Sequence, residues 1–152
     1  MTENLARIGG ATELRYDTID QAFPSVEPGL RPYGSRVLVQ KRSPRTVTRG
    51  GIYVPQDTQE TEFWNTQVAK VISLGPGAFK NRETLEVWPE GEWCRVGSYV
   101  RVPKYGGDRW LVDLPGAVSR YSGVEHACFC IFNDLDLIGE VTCDPLSVVA
   151  FI

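Results

Sequence analysis

Six short runs rich in β-branched and aromatic residues, separated by turn residues, restrict this chain to a small β-barrel. They are Arg36–Gln40, Gln67–Ile72, Ser98–Val102, Trp110–Val112, Ala127–Phe132 and Leu135–Ile138. No long stretch of 3.6-residue period competes with them, and Gly75-Pro76-Gly77 and Gly106-Gly107 stand where strand-to-loop corners are needed. A length of 152 residues allows one core and an appended arm, not two ordinary domains. With 15 glycines and 10 prolines beside 42% hydrophobic residues, the composition suits a folded, turn-rich chain and excludes disorder throughout.

The two ends read differently from the middle. Residues 1–29 hold few apolar positions and finish in Phe23-Pro24-Ser25-Val26-Glu27-Pro28-Gly29, where two prolines and a glycine forbid a continuing helix or central strand. This segment is an arm with room for one helical turn around Thr18 to Phe23. Phe23 and Val26 are candidate subunit contacts, pegs for a neighbouring surface, and the arm is expected to be ordered when a partner subunit captures it. At the other end, residues 140–152 form an apolar tail. From Leu146 to Ile152 it is apolar almost throughout, which points to a terminal strand paired with something and adds Val149 and Phe151 to the candidate contacts.

Between the first two barrel runs lies a polar segment, residues 41–65, that carries Gly50-Gly51-Ile52-Tyr53-Val54-Pro55. A loop of this length ordinarily omits apolar side chains, so three together behind a glycine pair are there to be presented. Gly50, Gly51, Ile52, Tyr53 and Val54 are the candidate partner-binding residues of a docking loop.

Other classes of function fall away on inventory. The formal net charge of −3 gives no electrostatic reason to expect nucleic acid. The one basic run, Lys41, Arg42, Arg45 and Arg49, is followed by Asp57, Glu60 and Glu62 and reads as a solvated loop. No segment approaches the ~20 apolar residues of a membrane span. Met1 to Gly10 lacks a signal-type apolar run, so a cytoplasmic protein is expected. Four scattered cysteines, Cys94, Cys128, Cys130 and Cys143, suit reduced thiols better than a secreted disulfide scaffold.

His126, Cys128 and Cys130 alternate and would share a strand face. Residues two apart on one strand lie about 6.5 Å from each other, too far for tetrahedral zinc at about 2.3 Å per sulfur, so packed thiols are expected and no metal. His126 is the only histidine, and no Gly-flanked serine elbow accompanies it. Asp134 and Asp136 read as the wet side of a strand, and neither glycine corner matches a phosphate-cradling loop. No catalytic residue, no cofactor and no enzymatic activity are expected. Trp88 and Trp93 bracket Pro89-Glu90-Gly91-Glu92 as aromatic shoulders of a hairpin, a third candidate subunit contact.

In this order the elements resemble the chaperonin-10 family, the GroES-type co-chaperonin lids. The residues that carry the resemblance begin with Leu30-Arg31-Pro32-Tyr33-Gly34-Ser35-Arg36-Val37-Leu38-Val39 and continue through Gly50-Gly51-Ile52-Tyr53-Val54-Pro55 and Val68-Ala69-Lys70-Val71-Ile72-Ser73-Leu74-Gly75-Pro76-Gly77. Val96-Gly97-Ser98-Tyr99-Val100, Lys104-Tyr105-Gly106-Gly107 and Asn133-Asp134-Leu135-Asp136-Leu137-Ile138 complete it. Each piece is short; the series covers residues 30–139 in the family's order.

The resemblance implies an all-β fold, a small Greek-key GroES-like barrel with a roof hairpin at 78–95, a docking loop at 41–65 and the N-terminal arm outside it. It also implies a homo-oligomeric ring whose loops reach the apical domains of an ATP-driven chaperonin to assist protein folding, with Ile52, Tyr53 and Val54 as the groove-binding triplet. An enlarged form of the kind phages encode fits the extra length: the arm, the segment between Asp108 and Ala127, and the tail. The rival expectation is a phage virion structural protein, for capsid decoration or the head. It would keep the barrel and bind capsid protein through arm and tail.

Overall fold

A computed structural model of the chain describes residues 6–8, 12–14, 19–43, 66–116 and 126–148. A three-residue hairpin ladder, β1 (Ala6–Ile8) with β2 (Thr12–Leu14), precedes one helical turn, α1 (Ile19–Ala22). The body is a six-stranded antiparallel sheet of β3 (Arg36–Lys41), β4 (Val68–Leu74), β5 (Tyr99–Arg101), β6 (Asp108–Asp113), β7 (His126–Asn133) and β8 (Gly139–Glu140), in the spatial order β6-β7-β3-β4-β5-β8. The small all-β fold expected from the sequence is what the chain adopts. Among the described residues almost no helix accompanies it.

Alternation divides the strands between two apolar layers. Val37 and Val39 of β3, Ala69 and Val71 of β4, Val100 of β5, and Cys130 and Phe132 of β7 join Phe79, Val102 and Leu137 in the principal core. The opposite face carries Leu38, Ile72, Ala127, Phe129 and Ile131, with Trp110 and Val112 of β6 beside them. β3 is therefore buried along its whole length after Arg36, polar Gln40 and Lys41 included. A strand buried on both faces needs a second cover, and the arm supplies part of it.

Phe23 is 3% exposed and its ring lies 5.1 Å from that of Tyr99. Val26 packs on the Leu38 layer, and the Trp110 indole N–H donates to the Pro28 carbonyl at 2.9 Å. The surface these pegs meet is the chain's own barrel, where the sequence suggested a neighbouring subunit. The continuous apolar runs of β3 and β7 already required such a cover.

Two boundaries depart from the sequence reading. Residues 135–138 do not extend as a strand: Asp134–Asp136 form a 3-10 turn, and pairing resumes at Gly139–Glu140 against β5. The cause is Asp134, which is buried and not on the wet side of a strand. Its Oδ1 accepts the Leu135 N–H at 2.8 Å and its Oδ2 accepts the Phe79 N–H at 2.9 Å, local bonds that compete with a ladder. The second boundary is Lys41, a member of β3 and not of the loop.

The 78–95 excursion closes on itself through one antiparallel bridge, Lys80 with Val87, in place of an extended ladder. The Trp88 and Trp93 rings lie tilted with centroids 5.0 Å apart, and both meet Phe79, Trp88 edge-on, so they roof the principal core as half-buried side chains.

Candidate partner-docking site

Gly50, Gly51, Ile52, Tyr53 and Val54 lie outside the described residues, as do Val149 and Phe151. What is described is the root from which the docking segment leaves and to which it returns, Lys41–Ser43 on one side and Thr66–Gln67 on the other. On the outgoing side the Arg42 N–H donates to the Val68 carbonyl at 3.0 Å, and the Ser43 N–H donates to the Ala22 carbonyl at 2.8 Å. On the returning side Gln67 and Val102 are joined twice, by the Val102 N–H to the Gln67 carbonyl and by the Gln67 side-chain amide to the Val102 carbonyl. The Arg101 guanidinium donates to Gln67 Oε1 at 3.0 Å.

The root is polar in sequence and buried in structure. Lys41 is 1% exposed, Arg42 0%, Ser43 1% and Thr66 0%. Lys41 and Arg42 therefore depart from the solvated basic run expected of them. Arg42 is accommodated because its Nη1 donates to the Pro145 carbonyl at 2.8 Å, a contact from a segment 103 residues away. Gln40 is held in the same manner by the Pro24 carbonyl. Sequence reasoning gave no role at the root to Ala22, Gln40, Ser43, Thr66, Gln67 or Pro145, and read Arg42 as solvated. The available signal was the pairing of two apolar ends, Phe23 and Leu146, on either side of a barrel whose strands needed covering.

Burial, reinforced by the Arg109 guanidinium, lowers the Lys41 ammonium from 10.5 to about 8. Burial likewise raises the Cys94 and Cys130 thiols from 9.0 to about 11. An ammonium whose folded value is depressed leaves the unfolded state holding the extra proton, so Lys41 adds stability with rising pH between about 8 and 10.5. A thiol whose folded value is raised does the opposite, so Cys94 and Cys130 remove stability between 9.0 and about 11. We expect the stability of the wild-type chain to gain on that of Lys41→Met as pH rises from about 8 to 10.5. Urea titrations across that range with a constant difference between the two proteins would refute it.

The alternating trio on β7 does not converge. His126 Nδ1 is 2.7 Å from Asp113 Oδ1 at the partly exposed end of the strand, whereas Cys130 packs in the principal core. Asp134 spends both carboxylate oxygens on backbone N–H groups and Asp136 is exposed, so they make no acid-base pair. Among the described residues no helix is long and apolar enough to cross a membrane.

Residues 29–113, more than half of the sequence, match the chaperonin 10 Kd subunit family. The chain belongs to the chaperonin-10 family. It is 36% identical over 91 residues to the Co-chaperonin GroES of Methylacidiphilum infernorum, covering 58% of this chain and 81% of that protein. It is 30% identical over 109 residues to the mitochondrial 10 kDa heat shock protein of Oryzias latipes, covering 72% and 90%. With that of Rattus norvegicus the identity is 35% over 109 residues, covering 72% and 87%. Membership makes the chain a co-chaperonin, of a family of chaperones and not of enzymes. These relatives are co-chaperonins and heat shock proteins, not virion proteins. The family match starts at Gly29, so the arm that seats Ser43 and Gln40 lies outside it, as does the segment that holds Arg42.

Proposed function

We propose that this co-chaperonin caps an ATP-driven chaperonin in the cytoplasm, with Ile52, Tyr53 and Val54 entering an apolar groove of its apical domain and Gly50-Gly51 permitting the turn. The observation that carries this reading is the placement of the triplet: an apolar group in a polar segment whose two ends spring from a buried root, in a chain of the co-chaperonin family. Burying three such side chains at ~1.5 to 3 kcal/mol each, less the ordering of the segment, gives weak binding per subunit. Homo-oligomerisation makes it firm, because each further loop binds at a high effective concentration. Exposed Tyr33 and Leu135 are available to subunit contacts, unlike Phe23.

The test is co-sedimentation of the purified protein with a bacterial chaperonin in the presence and absence of ATP. Sedimentation with the chaperonin only when ATP is present is the expected result. An intact folded oligomer that stays in the supernatant under both conditions would sink the reading.

A further inference from the structure

We infer that the two segments flanking the family core, residues 19–28 and 141–148, form a collar that locks the root of the docking loop and thereby strengthens docking; the second half of this inference rests on the function proposed above. Three observations converge on it. First, the arm bonds to the outgoing root directly, through the Ala22 carbonyl to Ser43 and the Pro24 carbonyl to Gln40. Second, the tail bonds to the residue between them, through the Pro145 carbonyl to Arg42. Third, arm and tail share one apolar cluster: Ile19, Ala22 and Phe23 from the arm and Val141, Leu146 and Val148 from the tail meet around Val68 and Tyr99. Val68 is also the residue whose carbonyl takes the Arg42 N–H, so the cluster sits against the root itself.

The chemistry makes this an element with two states. Closing the collar takes the Arg42 guanidinium out of water, which opposes closure. Burial of Phe23 and Leu146 favours it. With the two terms opposed, loss of one apolar anchor is enough to release the root. A released root frees residues 41–43 together with whatever they steer, and those residues must then be ordered again when the loop docks. A closed collar has ordered them in advance, which is where preorganisation gains affinity. Phe23 and Leu146 are positioning residues in this scheme, since neither belongs to the binding triplet.

Hydrogen exchange and chaperonin binding, measured together on full-length protein, test both halves. Phe23→Asp and Leu146→Asp are each expected to speed exchange of the Ser43 amide by at least about tenfold while the β3–β7 ladder keeps its protection. Each should also weaken ATP-dependent chaperonin binding by about tenfold. The double variant should be little worse than either single one, because both open the same collar. Phe23→Leu should restore exchange and binding alike, and the retained β3–β7 protection separates a released root from a loss of overall stability. Phe23→Ala serves if the aspartate variants lose the sheet.

A Ser43 amide that exchanges no faster in the variants overturns the collar. Faster exchange with unchanged chaperonin binding overturns its role in docking. A wild-type chain that protects Ser43 yet never binds chaperonin would instead refute the proposed function and leave the locked root standing.

Discussion

Replacing Ile52 with aspartate is expected to abolish ATP-dependent docking while leaving the barrel folded. In the proposed docking the triplet would contribute through apolar area removed from water, about 1.5 to 3 kcal/mol for one aliphatic side chain. Aspartate forfeits that and also brings an unpaired carboxylate into the groove, which costs several times more unless water follows it. At 1.4 kcal/mol per tenfold, the loss per loop is at least about 100-fold. Because each subunit of the proposed oligomer carries the same lesion, the deficits multiply where the wild-type contacts reinforce one another. Ile52→Val, which removes one methylene, should by contrast weaken each loop's contact less than about tenfold. Co-sedimentation with ATP and chaperonin reads both, with circular dichroism confirming the β fold. An aspartate variant that sediments as the wild type does would show that residue 52 is not in the contact.

The strands were legible because their information is local. Val37-Leu38-Val39 and Ala127–Phe132 declare buried β structure by composition, and the glycine corners declare where it stops. The family order was legible for the same reason. The root was not, because its logic is long-range. Nothing next to Arg42 in sequence says that a carbonyl at Pro145 will receive its guanidinium, and a basic pair at the mouth of a polar segment is ordinarily wet. Asp134 misled for a related reason: alternation with Leu135 and Leu137 mimics a half-exposed strand, yet the partner that fixes it as a turn is the Phe79 amide, 55 residues away. Phe79 needs such a partner, since it holds a φ of 59° that only glycine adopts freely. The hairpin of β1 and β2 had a visible signal in Gly9-Gly10 between two short alternating runs, one that the reading of residues 1–29 as a plain arm passed over.

Gly107→Ala is expected to destabilise the fold by about 3 kcal/mol or more, and Gly106→Ala by only about 1 kcal/mol. The two glycines are neighbours in one turn, both in the left-handed region with φ of 94° at Gly106 and 73° at Gly107, so backbone strain alone does not separate them. Space does. A Cβ on Gly106 meets nothing within 4 Å, whereas one on Gly107 falls 2.6 Å from Cys130 Sγ, 2.8 Å from the Phe132 ring and 2.9 Å from the Ile131 carbonyl oxygen. The sulfur and the ring could yield by moving within a packed core, but the carbonyl belongs to β7 and cannot yield without the strand. β7 pairs with β6 on one side and with β3 on the other, and β3 leads into Arg42 and Ser43. A displacement at Gly107 therefore reaches the loop root through one strand. Equilibrium unfolding in urea should separate the two variants by at least about 2 kcal/mol. Equal midpoints would mean that β6 can enter the sheet without the close approach to β7. Because the displaced strand borders β3, Gly107→Ala should also speed exchange at Ser43, and Gly106→Ala should not.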